Sequence, residues 1–440
     1  MPLSLPTNPT GEQFEDLLSA SLRANGYYTE SRVTLRESMQ DVLEIDVLAS
    51  PVGGAPGTER LFEAKKNPDI LSSVFKLYGQ RMYLNLPSAC LVSGRPIPRR
   101  HADVLNRTAS QMSIGLCHHG LGAGDLDTAA PVHSGLDATE RQHVTEAGWF
   151  ANIARRVAQD AFARMTAARR ADAPYSAARD YYVEVQNTVF VREPLARVER
   201  LYDAYRSAPN MTGAFVECIA SEEGKPATVI WNEIDNTADR LWLQYAEALE
   251  HCARLAIMKN ALQHIVASGT GTVDTTTISF GGGSIAVPRY FLPERFVGTL
   301  AALHAWPWGS RVPYCLQLFI EGLGGMLSLT DGRDAEFLAK ASGIPVAEIP
   351  RALRFYDEMF GRDGWSWFFD TRDELRRLQL VPAFMRAMGA FQRQVLGLKD
   401  YSEQFPQMGW LLSRWHNAGY AVLQPVLEVP PARSAPAQTP

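Results

Sequence analysis

Along the first 120 residues the apolar positions switch period several times, and each switch marks an element. Over Leu43-Glu44-Ile45-Asp46-Val47-Leu48-Ala49 and again over Arg60-Leu61-Phe62-Glu63-Ala64-Lys65-Lys66, apolar and polar side chains alternate, the signature of strands that show different faces to different surroundings. Between these runs Ser50 to Glu59 is rich in Gly and Pro, which predicts an antiparallel hairpin rather than a helical crossover. Upstream, Thr10 followed by Gly11-Glu12-Gln13-Phe14-Glu15-Asp16-Leu17-Leu18 opens an amphipathic helix with acids in its first turn and Gly26 at its close. Downstream the pattern predicts a helix over 70–86, a strand over 89–93, a helix over 99–111 and a strand over 113–117.

From about residue 121 the texture changes. Gly120 to Pro131 reads as a linker, after which the period is helical over 138–171, 177–207 and 232–268, with shorter elements continuing to Val426. Thr275 to Phe280 and Ser284 to Val287, joined by Gly281-Gly282-Gly283, predict one β-hairpin. The glycines lack the following Lys-Ser/Thr and helix start of a phosphate loop, so the turn reading stands. Leu338 to Arg354 has helix-turn-helix spacing that could bring Arg351 and Arg354 to DNA, but Pro350 inside the second helix favours a packed helical hairpin. Trp306, Trp308, Trp365, Trp367, Trp410 and Trp415 sit beside apolar residues and read as core rather than as a stacking surface. Pro430 to Pro440 has the composition of a disordered tail.

A chain of 440 residues exceeds one compact domain of this size class. Its net charge of −5 supplies no global basic field, so contact with nucleic acid has to come from local patches. Arg95, Arg99, Arg100 and Arg107, with Lys65, Lys66 and Lys76, form such a group, although scattered cations also serve plain solubility. The 5 cysteines have no framework spacing and suit free thiols in a reducing compartment. Cys117-His118-His119 lacks the second ligand pair of a zinc site. There is no leader pattern and no long apolar span, so the expectation is a cytoplasmic protein that does not enter a membrane.

The candidate chemistry lies in the two strands. By alternation Glu63 and Lys65 share a face, and the hairpin lets Asp46 lie beside Glu63. Two carboxylates with water and phosphate oxygens suit Mg²⁺, with Mn²⁺ as a substitute, and Lys65 adds positive charge. From spacing alone a solvated sheet face explains these residues equally well.

The order of elements, together with "GEQFEDLLSASLRANGYY", "EIDVLA", "LFEAKK" and "ACLVSGRPIPRRHADVLNRTASQMSIGLCHHG", resembles the PD-(D/E)xK nuclease superfamily, most closely its Mrr-type restriction-endonuclease-like domain. The resemblance spans roughly residues 9–125. It implies that Asp46 and Glu63 bind metal, that Lys65 is catalytic and that Glu15 on the opening helix joins the site. Many Mrr-type proteins carry Gln where this chain has Glu63. Gln80 and Tyr83 resemble a helical Gln and Tyr that support the site or touch DNA in some branches, though a helix surface explains them as well.

The expected architecture is therefore an α/β restriction-endonuclease-like domain, a mixed sheet flanked by helices, over 9–125. A linker follows over 126–134, then a larger, mainly α-helical recognition or regulatory region with one β-hairpin over 135–428, open to division into two subdomains, and a tail over 429–440. The expected function is a Mg²⁺-dependent DNA endonuclease in restriction or defence, with a homodimer for double-strand cutting and an activating protein as conceivable partners. Two alternatives stay open: a catalytically silent nuclease-fold protein that binds nucleic acid or assembles, and a nuclease acting on RNA or branched DNA.

Overall fold

The computed structural model describes residues 8–38, 40–55, 57–66, 70–96, 99–120, 123–208, 210–236, 241–268, 275–280, 283–288, 293–322 and 333–361. Helix α1 (Gly11–Ala24) starts where the sequence predicts, because Thr10 and Gln13 cap it reciprocally: the Thr10 hydroxyl accepts the Gln13 amide and the Gln13 side chain accepts the Thr10 amide. It ends at Gly26, which adopts φ +94° and lies so close to the following chain that a Cβ there would sit 2.6 Å from the Ser134 nitrogen.

Strands β1 (Tyr27–Glu37), β2 (Gln40–Pro51) and β3 (Arg60–Lys65) form an antiparallel meander. Helix α2 (Ile70–Tyr83) then crosses over to β4 (Ser88–Ser93), and α3 (Arg99–Gln111) to β5 (Ile114–Gly120), both in parallel pairing, with a two-residue β6 (Ala123–Gly124) antiparallel to β5. The mixed sheet has its strands in sequential order, β1 to β6. Its faces are covered differently. Phe14, Leu17 and Leu18 of α1 pack with Val47, Ala49, Phe62 and Ala64, while Val74 and Leu77 of α2 pack with Leu61, Leu91 and Ile114 on the other side. This coverage is why β3 and β4 read as nearly continuous buried runs.

The stretch expected as a linker is tied down. It contains α4 (Leu126–Ala129), Leu126 and Ala130 are buried, and the Asn25 carbonyl at the end of α1 accepts the amides of His133 and Ser134 at 2.7 and 3.2 Å. Its turn-forming composition reflects chain reversals, which here dock on the α1 terminus.

Beyond it the described chain is mainly helical: α5 (Ala138–Ala168), α6 (Tyr175–Asn187), α7 (Pro194–Ser207), α8 (Met211–Glu223), α9 (Ala227–Asn236) and α10 (Leu241–Ser268). The helix expected over 177–207 is two helices. Pro194 can only begin one, and the Glu193 carboxylate caps that start by accepting the amides of Leu195 and Ala196. The predicted hairpin is present as β7 (Thr275–Phe280) and β8 (Gly283–Pro288). Then come α11 (Glu294–Ala305), α12 (Val312–Gln317) continuing into a π-helical turn (Leu318–Gly322), α13 (Arg333–Ser342) and α14 (Ile349–Phe360). The expected helices after residue 361, the tail, and Trp365, Trp367, Trp410 and Trp415 lie outside the described residues.

One core joins the two regions. Phe14 and Phe62 belong to the same buried cluster as Trp149, Leu255, Tyr314 and Tyr356. A second, aromatic cluster lies wholly within the helices, where Phe215 meets Trp242 and Tyr175 at ring-centroid distances of 4.9 and 5.0 Å. No helix among the described residues is long and apolar enough to cross a membrane.

Candidate metal and phosphodiester site

The β2–β3 pairing ends at Val47 opposite Phe62, so the strands diverge just before Asp46 and Glu63 would face each other. The Asp46 carboxylate fills the gap: its Oδ2 accepts the Ala64 amide at 2.7 Å. Asp46 is 4 % exposed and Glu63 0 %, so both charges are taken out of bulk water. The Lys65 ammonium lies between them, 2.6 Å from Glu63 Oε1 and 3.9 Å from Asp46 Oδ2. Lys76 of α2 reaches the same Glu63 oxygen at 2.9 Å.

Burial pushes the Asp46 carboxyl up to about 7, the nearby Glu63 charge pushes the same way, and Lys65 and the Ala64 amide oppose them. Glu15, on α1, is pushed up to about 8 by burial and by Asp46, against the pull of Arg32. Burial alone would lower the Lys65 ammonium, but Asp46 and Glu63 outweigh it and raise its pKa, so Lys65 is a fixed positive charge and not a base. The structure therefore brings Glu15, Asp46, Glu63 and Lys65 into one electrostatic unit.

The donor set suits a hard divalent cation. The lysines engage Glu63 Oε1, whereas Glu63 Oε2 is buried with no hydrogen-bond partner, and burial disfavours the charged form of Asp46, a cost that a cation beside it would offset. As the side chains stand, no three acidic, His or Cys groups among the described residues already converge on one ion position, and the Lys65 ammonium occupies the space between Asp46 and Glu63.

The cations expected to meet nucleic acid divide into two kinds. Lys65 pairs with Ser93 across the β3–β4 ladder and its carbonyl accepts the Gly94 amide at 2.9 Å. The ends of these parallel strands consequently carry Lys65, the half-buried Lys66 and the exposed Arg95 together, and the next helix, α3, opens with Arg99 and Arg100. Lys76 belongs to the acid cluster itself. Gln80 is different: it is 3 % exposed and its Nε2 donates to the Glu44 carbonyl at 2.8 Å, which places it inside the fold as a brace for β2, while Tyr83 is exposed.

Arg32 is the participant the sequence did not disclose. It sits in β1 at φ +55°, and its guanidinium lies 3.6 Å from both Glu12 and Glu15. Nothing in the run Ser31-Arg32-Val33 signals a left-handed residue inside a strand.

The other motifs resolve into packing. His119 is half-buried against the Ser21 hydroxyl at 2.8 Å and desolvation lowers its pKa to about 4, so it is neutral there, with no metal cluster around it among the described residues. Cys90 and Cys117 are free thiols with their sulfurs 3.6 Å apart. Pro350 falls in the first turn of α14, where it is tolerated, and Ile349, Ala352, Leu353 and Tyr356 of that helix are core. Arg351 lies over the Trp306 ring at 5.3 Å, and Trp306 is buried.

Compared with known proteins, the chain matches no family model, no curated protein and no solved structure.

Proposed function

We propose that the chain is a Mg²⁺-dependent DNA endonuclease of the PD-(D/E)xK kind, with a restriction-endonuclease-like N-terminal region and a setting in restriction or defence. The observation that carries this reading is the convergence of two nearly inaccessible carboxylates, Asp46 and Glu63, and the Lys65 ammonium at the point where β2 and β3 diverge. Such a cluster is costly to keep in a fold unless a cation compensates it.

Asp46 and Glu63 would hold the ion, with Glu15 as the third carboxylate. A bound Mg²⁺ orients a phosphate, neutralises charge on the transferring phosphoryl group and lowers the pKa of water. Lys65, always protonated here, offsets negative charge growing on the phosphate oxygens and positions the attacking water. Lys66 and Arg95, which follow β3 and β4, would meet the flanking backbone phosphates.

A second reading rests on the two ammoniums at Glu63 Oε1: the trio could be a closed structural salt bridge in a silent nuclease-like scaffold. Plasmid cleavage with and without Mg²⁺ separates the two, using the parent chain, Asp46→Asn and Lys65→Ala. Mg²⁺-dependent cleavage abolished by both substitutions supports the nuclease. Failure of the folded parent on DNA, modified DNA and RNA favours the scaffold.

A further inference from the structure

Helix α2 covers the sheet with one face and leaves the other open. Val74 and Leu77 pack into the core, while Leu71, Phe75 and Met82 recur at helical spacing on the outer side with Tyr83 beside them, all four exposed. Phe75 is 52 % exposed, Met82 56 % and Tyr83 62 %. Ten large apolar side chains are exposed among the described residues; four share this one helix, and no other element carries more than two. Single exposed apolar residues are ordinary on a protein surface, but a stripe of them marks a contact.

The size of the patch fits one kind of occupant. α3 touches α2 and adds the exposed Val104. With roughly 100 Å² of each of these five side chains in water, the patch offers on the order of 500 Å² of apolar surface. A standard interface takes about 800 Å² from each partner, and between identical subunits about 65 % of it is apolar, which is the same apolar area.

Charge points to the same occupant. α2 carries no acid, its Lys76 is held by Glu63 at 2.9 Å, and its Arg81 donates to the Met112 carbonyl at 3.2 Å. The stripe therefore offers a strongly charged partner little to pair with, whereas two copies of it meet without repulsion. Gly79 lies in the middle of the stripe, between Phe75 and Met82. A Cβ there would meet nothing within 4 Å, so the single chain gives no reason for glycine in a helix interior, where it is less favourable than alanine. Close approach of another helix gives one.

We propose that the outer face of α2 is the interface of a homodimer, formed with the same face of a second copy about a two-fold axis at Gly79. In this antiparallel pairing, residues equally far from Gly79 on either side oppose each other. Phe75 then meets the partner's Tyr83, and the aromatic contact occurs twice. Gly79 opposes its own symmetry mate where the helix backbones cross. The two Lys76 side chains, with their acid clusters, flank the axis. The interface stands independently of the nuclease reading.

The test is sedimentation velocity of the full chain at micromolar concentrations, where the parent should be a dimer. Phe75→Glu should weaken dimerisation at least a hundredfold with unchanged circular dichroism. Gly79→Glu is the sharper variant. Open space admits its side chain and the helix gains by losing glycine, so it should melt no lower than the parent yet sediment as a monomer. Gly79→Cys should form a disulfide-linked dimer under mild oxidation, which the parent with its own 5 cysteines does not. Asp46→Asn should dimerise as the parent does, so loss of the nuclease reading and loss of this one are distinguishable. A monomeric parent overturns the proposal and leaves the face to residues 362–440 or to a different protein. A parent dimer that both Phe75→Glu and Gly79→Glu leave intact overturns it as well.

Discussion

The Asp46 carboxylate accepts the Ala64 backbone amide at 2.7 Å, one position beyond the last rung of the β2–β3 ladder. One side chain thus closes the gap between diverging strands and carries charge into the acid cluster. The two duties can be separated. Asp46→Asn keeps an acceptor for the amide and removes the charge, whereas Asp46→Ala leaves a buried N–H unpaired. The alanine protein should be less stable than the asparagine protein by about 1–3 kcal/mol in urea denaturation, with both inactive in cleavage. Equal stability of the two would show that the amide finds another partner.

Asp46 also sets a pH dependence. Its folded-state pKa is about 7, raised from an ordinary value of 3.8. The folded chain therefore holds that proton where the unfolded chain has lost it, and stability from this group is present below the ordinary value and lost as pH rises toward 7. Asp46→Asn lacks that loss. Its stability relative to the parent should climb between pH 4 and pH 7 and level off above, measured by denaturation at each pH without divalent ions. A flat difference would mean that Asp46 is ionised throughout the range.

Lys65 stands between the carboxylates that would hold an ion, so it competes with the ion for them. Lys65→Met should bind Mg²⁺ or Mn²⁺ several-fold more tightly than the parent while losing cleavage at least a hundredfold. Calorimetry and plasmid nicking read the two effects. If ion affinity falls together with activity, the ammonium supports the ion site sterically instead of opposing it.

The features of this arrangement that were legible in the sequence are those set by local pattern. Alternation over 43–49 and 60–66 placed Asp46, Glu63 and Lys65 on neighbouring strands, Thr10 and the acids of the first turn marked the start of α1, and the helix over 99–111 has the same bounds in the structure. What was not legible depends on distant partners. The Glu193–Pro194 break carried a local signal that helical periodicity overrode. The packing of the 126–134 stretch on Asn25, the shared core of Phe14 and Tyr356, and the conformation of Arg32 have none. Gln80, which an amphipathic helix pattern put at the surface, is drawn inside by the Glu44 carbonyl of a strand far away in the chain.

Gln317 offers the sharpest test of how the helical region supports the sheet. Its side chain donates to the Thr29 carbonyl at 2.8 Å and accepts the Thr29 amide at 2.9 Å, imitating a neighbouring strand at the edge of β1. Both groups are buried, so water cannot replace the lost bonds without opening the structure. Gln317→Leu keeps most of the volume and removes both bonds, at about 1–3 kcal/mol for each group left unpaired. The variant should unfold at lower urea concentration, and its uncovered edge should favour strand pairing between molecules, seen as concentration-dependent association in sedimentation velocity. A stability loss below about 1 kcal/mol with no association would mean that β1 is held by its ladder to β2 and needs no cover from the helices.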